Sequence, residues 1–290
     1  MTRFLDLRIA DVGGELAKSV AITQRADNGS YTGLDKNQFL QDIQGRNVLL
    51  ATHGFNVNRA NGLSSLSNWS SKLQFDAQSV FVGVLWPGDS IWLHGLDYPE
   101  EPRVADDAGK LLAPFIDANF GGAASISFAS HSLGARVLLE TISQMNRPVR
   151  RATIMAGAID DDCLNTEFQA AVAKIGKLSI LASHEDEVLS LAFPAGNFLA
   201  GILTAGHPWW HSALGRTGPV DPMPSNFQAP YEIPDNWSFG HGDYLLVDPP
   251  IALPLPLQTD VPPNGTPEPA GGAPGWESSW SAALVSTRFR

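Results

Sequence analysis

The sequence predicts an α/β protein with a mostly parallel central sheet and helices on both of its faces. Two observations support this fold class. Short, continuous apolar runs, largely β-branched or aromatic, recur between residues 47 and 183, and such runs are typical of strands buried on both faces. Segments with helical spacing of apolar residues separate these runs, and strands that alternate with helices form parallel sheets.

The apolar runs and the segments between them give the elements in chain order. The predicted strands are 47–54, 79–88, 125–130, 151–157 and 177–183. The predicted helices are 62–74, 106–120, 132–145 and 163–175, and in the last of these Leu164, Phe168 and Val172 recur at helical spacing. The earlier runs FLDLRIADV and KSVAITQ predict strands towards one edge of the sheet, and FQAPYEIP predicts a final strand.

The composition changes after about Val247. Residues 249–290 are rich in Pro and Gly and have almost no apolar periodicity, which favours extended backbone that cannot fill a core. We therefore predict one globular domain over residues 1–248, followed by a Pro/Gly-rich C-terminal tail over residues 249–290.

The charge balance restricts the class of partner. The 290-residue chain carries 30 acidic and 19 basic residues, which gives a net charge of −11. This charge disfavours nucleic acid or an anionic membrane surface as a partner, because both are themselves negative. Cys163 is the one cysteine of the sequence, so the chain has no internal disulfide framework and no thiolate metal cluster.

Two stretches of the sequence bear on where in the cell the protein is expected to lie. Asp6 and Asp11 interrupt the N-terminal run where a signal peptide needs an unbroken apolar stretch, so we expect a cytoplasmic protein. The uncharged segment 188–206 is nearly long enough to cross a bilayer, but it contains Pro194 and Asn197 and lacks close flanking Lys or Arg. We expect a buried or site-covering helical segment there rather than a membrane span.

Ser132 lies between a predicted strand and a predicted helix, so the chain must turn sharply there. Ser130 and Gly134 flank it in an S-x-S-x-G pattern, close to the G-x-S-x-G of a nucleophile elbow, where small residues let strand and helix backbones approach. The N–H of Leu133, at the helix N-terminus, would point at a developing oxyanion. The alternative is that Ser132 is a helix N-cap.

The first well-defined parallel strand ends in the motif His53-Gly54-Phe55-Asn56. A His-Gly turn at this point lets a backbone N–H face the end of the strand that carries the serine. We therefore predict that the Phe55 N–H is a second oxyanion donor. We expect His53 to be a structural imidazole that forms hydrogen bonds within the loop.

The motifs HGFN, LWPGDS and SHSLG, in this order and spacing, resemble the α/β-hydrolase superfamily. Within this superfamily, the sequence most resembles a group of bacterial α/β-hydrolase-like proteins of largely uncharacterised function. The resemblance extends from about Asn47 to Tyr244. It implies an α/β-hydrolase fold for the 1–248 domain and a Ser–acid–His triad in that chain order, with the acid after a later strand and the histidine after the last.

Carried onto this sequence, the resemblance places the acid at Asp186, in the loop after the strand 177–183. The alternative is that the acidic residues there only open the following helix, where carboxylates suit the helix dipole. Asp160 and Asp161, after the preceding strand, are rival acids. For the neighbouring Asp162 we expect helix capping.

The resemblance also points to His241 as the base, and this residue lies in a Gly-flanked loop after the predicted final strand. We expect the side chain of His131 to point away from its neighbour Ser132. His207 and His211 have the i,i+4 spacing of metal ligands. However, the sequence has no HExxH motif and no third candidate near them, so we expect no metal site.

Together these residues predict a serine hydrolase that needs no cofactor. Ser132 attacks a carbonyl carbon, His241 takes and returns the proton, and Asp186 orients and stabilises the imidazolium. The amides of Phe55 and Leu133 hold the oxyanion.

The expected substrate is a small-molecule ester with an apolar acyl or aryl group. Esters are the easiest acyl bonds for this apparatus, and residues 89–101 and 193–210 carry aromatic and apolar side chains where caps arise. Two alternatives stay open. One is the same triad acting on a thioester, an amide or a lipid ester. The other is a hydrolase-like scaffold that binds a partner without turnover, for which the Pro-rich tail is the best support.

Overall fold

The computed structural model describes residues 2–13, 15–26, 28–73, 77–89, 101–191, 211–228, 232–233, 235 and 239–245. The tail predicted over 249–290, almost all of the two predicted cap segments and His207 lie outside these residues. In the described part of the chain, no helix combines the length and the apolar character that a membrane span requires.

The central strands form where the apolar runs predicted them. The strands are β1 (Arg3–Arg8), β2 (Leu16–Arg25), β3 (Tyr31–Gly33), β4 (Asn47–Thr52), β5 (Ser79–Leu85), β6 (Ser125–His131), β7 (Val149–Met155), β8 (Ile175–Leu181) and β9 (Phe227–Gln228). They form a nine-stranded sheet in the order β3-β2-β1-β5-β4-β6-β7-β8-β9. β2 runs antiparallel to β1 and β3, and the other neighbouring strands pair in parallel. The prediction of a mostly parallel sheet is therefore confirmed.

Helices cover both faces of this sheet. The longer helices are α1 (Lys36–Ile43), α2 (Arg59–Lys72), α3 (Glu101–Asn119), α4 (Gly134–Gln144) and α5 (Gln169–Lys174). The crossover from β4 to β5 runs in the opposite direction to those from β5 to β6, β6 to β7 and β7 to β8. Because such crossovers are right-handed, α2 lies on the opposite face from α3, α4 and α5. Consecutive residues of β4, such as Leu49 and Leu50, are accordingly both buried.

One helix is shorter than predicted. Of the segment 163–175, only Gln169–Lys174 is α-helical, and the residues before it form turns. Asn165 there donates its side-chain amide to the carbonyl of Val220, and Asp161 donates its N–H to the carbonyl of Ser212. These hydrogen bonds to a distant segment hold the preceding turns outside the helical conformation.

A buried arginine connects three loops at the carboxyl edge of the sheet. The Arg8 guanidinium donates to the carbonyls of Val57 and Trp86, at 3.1 and 3.0 Å. It also forms an ion pair with Asp89, whose other oxygen accepts the N–H of Gly13 at 3.2 Å. Arg8 and Asp89 are both buried. This cluster fixes the loops after β1, β4 and β5 relative to one another.

We expect Arg8→Met to lower the free energy of unfolding by about 3–5 kcal/mol, because it leaves the buried Asp89 carboxylate without its cation. Chemical denaturation measures the change. Arg25→Met is the matched control, since Arg25 is exposed at the end of β2. Equal stabilities for the two variants would show that the Arg8 cluster does not hold these loops together.

Candidate active site

The site lies where the direction of the crossovers reverses. β4 and β6 are neighbours in the sheet, and the chain leaves them towards opposite faces, through α2 after β4 and through α4 after β6. This arrangement opens a crevice at the carboxyl ends of the strands, which is where open α/β sheets bind ligands. Thr52 of β4 is paired with Ser130 of β6, so the loops after both strands start at the same level.

Ser132 occupies a sharp turn with left-handed backbone, at φ +54°. Its N–H donates to the carbonyl of Met155 at 2.9 Å, and its own carbonyl accepts the N–H of Ala135 at 3.0 Å. This conformation is uncommon for a residue other than glycine, and such residues cluster at functional sites. The N-cap residue of α4 is Leu133, and no side chain caps that helix end. Ser132 therefore does not serve as a helix cap.

Two glycines allow the backbones around Ser132 to come close. A Cβ at Gly54 would lie 2.7 Å from the Ser132 Cβ and 3.2 Å from its Oγ. A Cβ at Gly134 would lie 2.1 Å from Thr52 Oγ1 and 2.4 Å from the carbonyl oxygen of His53. The sheet, the helix and the loop after β4 therefore meet at distances that exclude any side chain at these two positions.

His241 and Asp186 complete a hydrogen-bonded chain with Ser132. His241 Nε2 is 2.9 Å from Ser132 Oγ, and Nδ1 is 2.8 Å from Asp186 Oδ2. Since the carboxylate can only accept, Nδ1 carries the proton and Nε2 accepts the serine O–H. Asp186 is fully buried, and its other oxygen accepts the N–H of Leu189 at 3.0 Å. One carboxylate thus both opens the following helix and orients the imidazole.

Two residues to which the motifs gave no role in the site hold the loop 239–243 that carries His241, which we call the histidine loop. Ser183 donates its hydroxyl to the carbonyl of Phe239 at 2.6 Å. His131 Nε2 lies 2.6 Å from the carbonyl oxygen of His241, and the two ring centroids are 4.9 Å apart. The side chain of His131 was expected to point away from Ser132. Its ring instead contacts the loop that carries His241, whose own ring bonds Ser132 Oγ, because the left-handed turn after His131 ends the regular strand alternation. Its position directly before Ser132 was the available signal.

His53 has the structural role that the motif predicted. Its Nδ1–H donates to the carbonyl of Gly54 at 2.9 Å, and its Nε2 accepts the N–H of Trp86 at 3.3 Å. The ring stacks on the Trp86 indole with centroids 5.7 Å apart. Burial, with a smaller effect of the Arg8 charge, lowers the pKa of His53 to about 4. A neutral His53 therefore joins the loop after β4, at Gly54, to the loop after β5, at Trp86.

The two expected oxyanion donors flank Ser132. Leu133 follows it at the start of α4, and in the described part of the chain its N–H has no acceptor. Phe55 follows Gly54, which contacts the Ser132 side chain. The next residue, Asn56, has φ +56° and donates its N–H to the carbonyl of Gly88 at 2.6 Å. The loop after β4 is thus held against the loop after β5 beside Ser132.

The acidic run after β7 faces a different histidine. Asp161 Oδ1 lies 3.0 Å from His211 Nδ1, and Asp162 Oδ2 lies 3.6 Å from His211 Nε2. Asp160 forms a β-bridge with Ala213. Neither rival acid is therefore the partner of His241. The expectation that Asp162 caps a helix is also wrong, because α5 begins well beyond it.

The Asp161, Asp162 and His211 ligand atoms lie within 4.8 Å of one another, a proximity that the spacing of the sequence did not predict. Burial lowers the pKa of His211, but the hydrogen bond and the charges of the two carboxylates raise it overall. The contacts of His211 with Asp161 and Asp162 therefore join the segment after residue 210 to the loop after β7.

A family model described as "Alpha/beta hydrolase of unknown function (DUF900)" matches residues 33–198, which is more than half of the chain. The chain therefore belongs to this family of α/β hydrolases. Ser132 and Asp186 lie within the matched residues, and His241 lies beyond them. No curated protein matches the chain significantly.

Solved structures show distant similarity. An uncharacterised protein from Bacillus cereus ATCC 10987 is 16% identical over 57% of this chain and 48% of its own, with a TM-score of 0.35. The esterase PE8 is 14% identical over 56% of this chain and 80% of its own, also at 0.35. Carboxyl esterase 2 from Tuber melanosporum is 11% identical over 69% and 77%, at 0.29. The chain spans about half of the Bacillus protein. Similarity at this level does not bear on function.

We expect Gly134→Ala to destabilise the protein by about 1–3 kcal/mol, because the added methyl group overlaps backbone and Thr52 and one of them must move. Urea denaturation measures the change. Gly121→Ala is the control, since a Cβ there would meet nothing within 4 Å. Equal stability of the two alanine variants would contradict the close packing of α4 against the end of β4 at Gly134.

Proposed function

We propose that the protein is a serine hydrolase that cleaves a carboxylic ester through an acyl-enzyme on Ser132. The observation that carries this proposal is the hydrogen-bonded chain from Ser132 Oγ through His241 to the buried Asp186, at 2.9 and 2.8 Å. These distances are within the reach that proton transfer requires. The left-handed turn at Ser132 supports the same role, because it presents Oγ at the end of the strand.

In the first half of the proposed reaction, His241 Nε2 takes the proton of Ser132 as Oγ attacks the ester carbonyl carbon. The carbonyl oxygen becomes an oxyanion, to which the N–H groups of Leu133 and Phe55 donate. The carbon–oxygen bond to the leaving group then breaks. His241 gives its proton to the departing alcohol, and the acyl group remains on Ser132.

Water completes the proposed cycle. His241 takes a proton from a water molecule, whose oxygen attacks the acyl carbon, and the second oxyanion uses the same two N–H donors. When it collapses, the carboxylic acid leaves and Ser132 regains its proton from His241. In both halves the Asp186 carboxylate stabilises the imidazolium and keeps Nδ1 protonated.

The choice of an ester rests on leaving-group chemistry, since the tetrahedral intermediate expels an alcohol more readily than an amine. The preference for an apolar acyl or aryl group rests on the apolar composition of residues 89–101 and 193–210, almost all of which lie outside the described residues. The same triad can also cleave thioesters, amides and lipid esters, so a substrate panel decides among them.

We expect a fluorophosphonate probe to label the wild-type protein and not Ser132→Ala, because the probe reacts with an activated serine oxygen. Gel fluorescence and peptide mapping measure the labelling. Ser127→Ala is the matched control, since it removes a buried hydroxyl from β6, the strand that leads to Ser132. Labelling that survives in Ser132→Ala, or that is absent from folded wild type, would contradict the enzyme proposal and favour a binding scaffold.

We expect Asp186→Asn to lower kcat by about 10⁴, as loss of the orienting acid of a triad does. The amide can still accept the N–H of Leu189, so the fold should persist. Asp161→Asn is the matched control, because Asp161 also pairs with a histidine. Ester hydrolysis and circular dichroism are measured for both. Full activity in Asp186→Asn, with loss in Asp161→Asn, would move the acid to the loop after β7.

A further inference from the structure

His131 lies between the left-handed turn at Ser132, which we call the nucleophile turn, and the histidine loop. Its Nε2 is 2.6 Å from the carbonyl oxygen of His241, so this nitrogen carries the proton and donates. Its Nδ1 faces the opposite loop, since a Cβ at Gly54 would lie 3.2 Å away from it. The ring is tilted by 54° to that of His241, with centroids 4.9 Å apart. His131 thus contacts the loops that carry the base and an expected oxyanion donor.

The hydrogen bond from His131 is made to the backbone of the base rather than to its ring. The His241 ring keeps both nitrogens for Asp186 and Ser132. Two residues earlier, the carbonyl of Phe239 is held by Ser183. The loop backbone is therefore held on both sides of Gly240, and these contacts determine where Nε2 of His241 lies relative to Ser132 Oγ. Displacements of about 1 Å in such geometry can lower a rate a hundredfold.

The charge state of His131 suits this contact. Burial, followed by the charge of His241, lowers the pKa of His131 to about 4. At neutral pH it is therefore a neutral donor. A permanent cation in its place would oppose proton uptake by the adjacent His241, because like charges disfavour the charged form.

We propose that His131 is a positioning residue that holds the base His241 in line with Ser132 by donating a hydrogen bond to the His241 backbone carbonyl. This inference rests on the proposed function, because it assigns His131 a part in the same reaction. The hydrogen bond of His131 is made to the backbone of His241, whereas the proton moves between Ser132 Oγ and the His241 ring. Because His131 directly precedes Ser132, its hydrogen bond fixes the loop that carries His241 relative to the turn that carries Ser132.

The test compares two substitutions of similar length. His131→Gln keeps an N–H donor at about the reach of Nε2, whereas His131→Met has none. With an aryl ester as substrate, we expect His131→Gln to keep kcat within about threefold of wild type. We expect His131→Met to lower kcat by about tenfold to a hundredfold, with KM and Tm close to those of the Gln variant. His131→Phe, which keeps a ring without a donor, repeats the comparison with different packing.

A second measurement reads the position of the base without turnover. The Nδ1 proton of His241, bonded to Asp186, gives a low-field proton NMR resonance that Asp186→Asn identifies by its loss. We expect this resonance in wild type and His131→Gln, and we expect it to be broadened or absent in His131→Met and His131→Phe.

The outcomes separate the two proposals. If the donor-free variants match His131→Gln in kcat and in this resonance, His131 does not position the base, although the hydrolase proposal stands. If all three variants lose kcat equally and melt earlier, the role of His131 is packing, and the inference is likewise overturned. If the wild type hydrolyses no substrate, the proposed function fails, and the NMR comparison still decides whether His131 positions His241.

Discussion

The left-handed turn at Ser132 is the constraint on which the rest of the site depends. Holding a residue other than glycine at φ +54° costs on the order of 1–3 kcal/mol, and the surrounding core must offset it. The hydrogen bond from Ser132 N–H to Met155 and the close contacts at Gly54 and Gly134 hold the turn in this conformation. As a result, the hydroxyl leaves the strand and meets His241.

Around this turn, single residues serve two purposes. Asp186 opens a helix with one carboxylate oxygen and orients the imidazole with the other. His131 ends β6 and also binds the histidine loop. Ser183 follows β8 and holds the same loop from the other side. Because the scaffold and the site share these groups, the geometry of the hydrogen-bonded chain from Ser132 through His241 to Asp186 follows from the packing of the sheet.

The sequence predicted the sheet well because doubly buried strands have a local signature, and both Leu49 and Leu50 of β4 are buried. It also placed Ser132, Asp186 and His241 in loops that the fold brings to one edge. It did not predict the Arg8 cluster or the pairing of Asp161 with His211. These contacts join segments about 50 or more residues apart, and no local periodicity records such contacts. The direction of His131 was missed for a related reason, since it depends on the strained residue after it.

The measurement that tests the central claim most directly is identification of the acyl group during turnover. Mixing the full-length protein with a chromogenic aryl ester, quenching within the burst phase and mapping the peptides would locate any covalent acyl group. We predict a burst of about one leaving group per chain and an acyl adduct on Ser132, because acylation precedes attack by water. Turnover with no adduct, or with an adduct on another residue, would contradict the proposed triad of Ser132, His241 and Asp186.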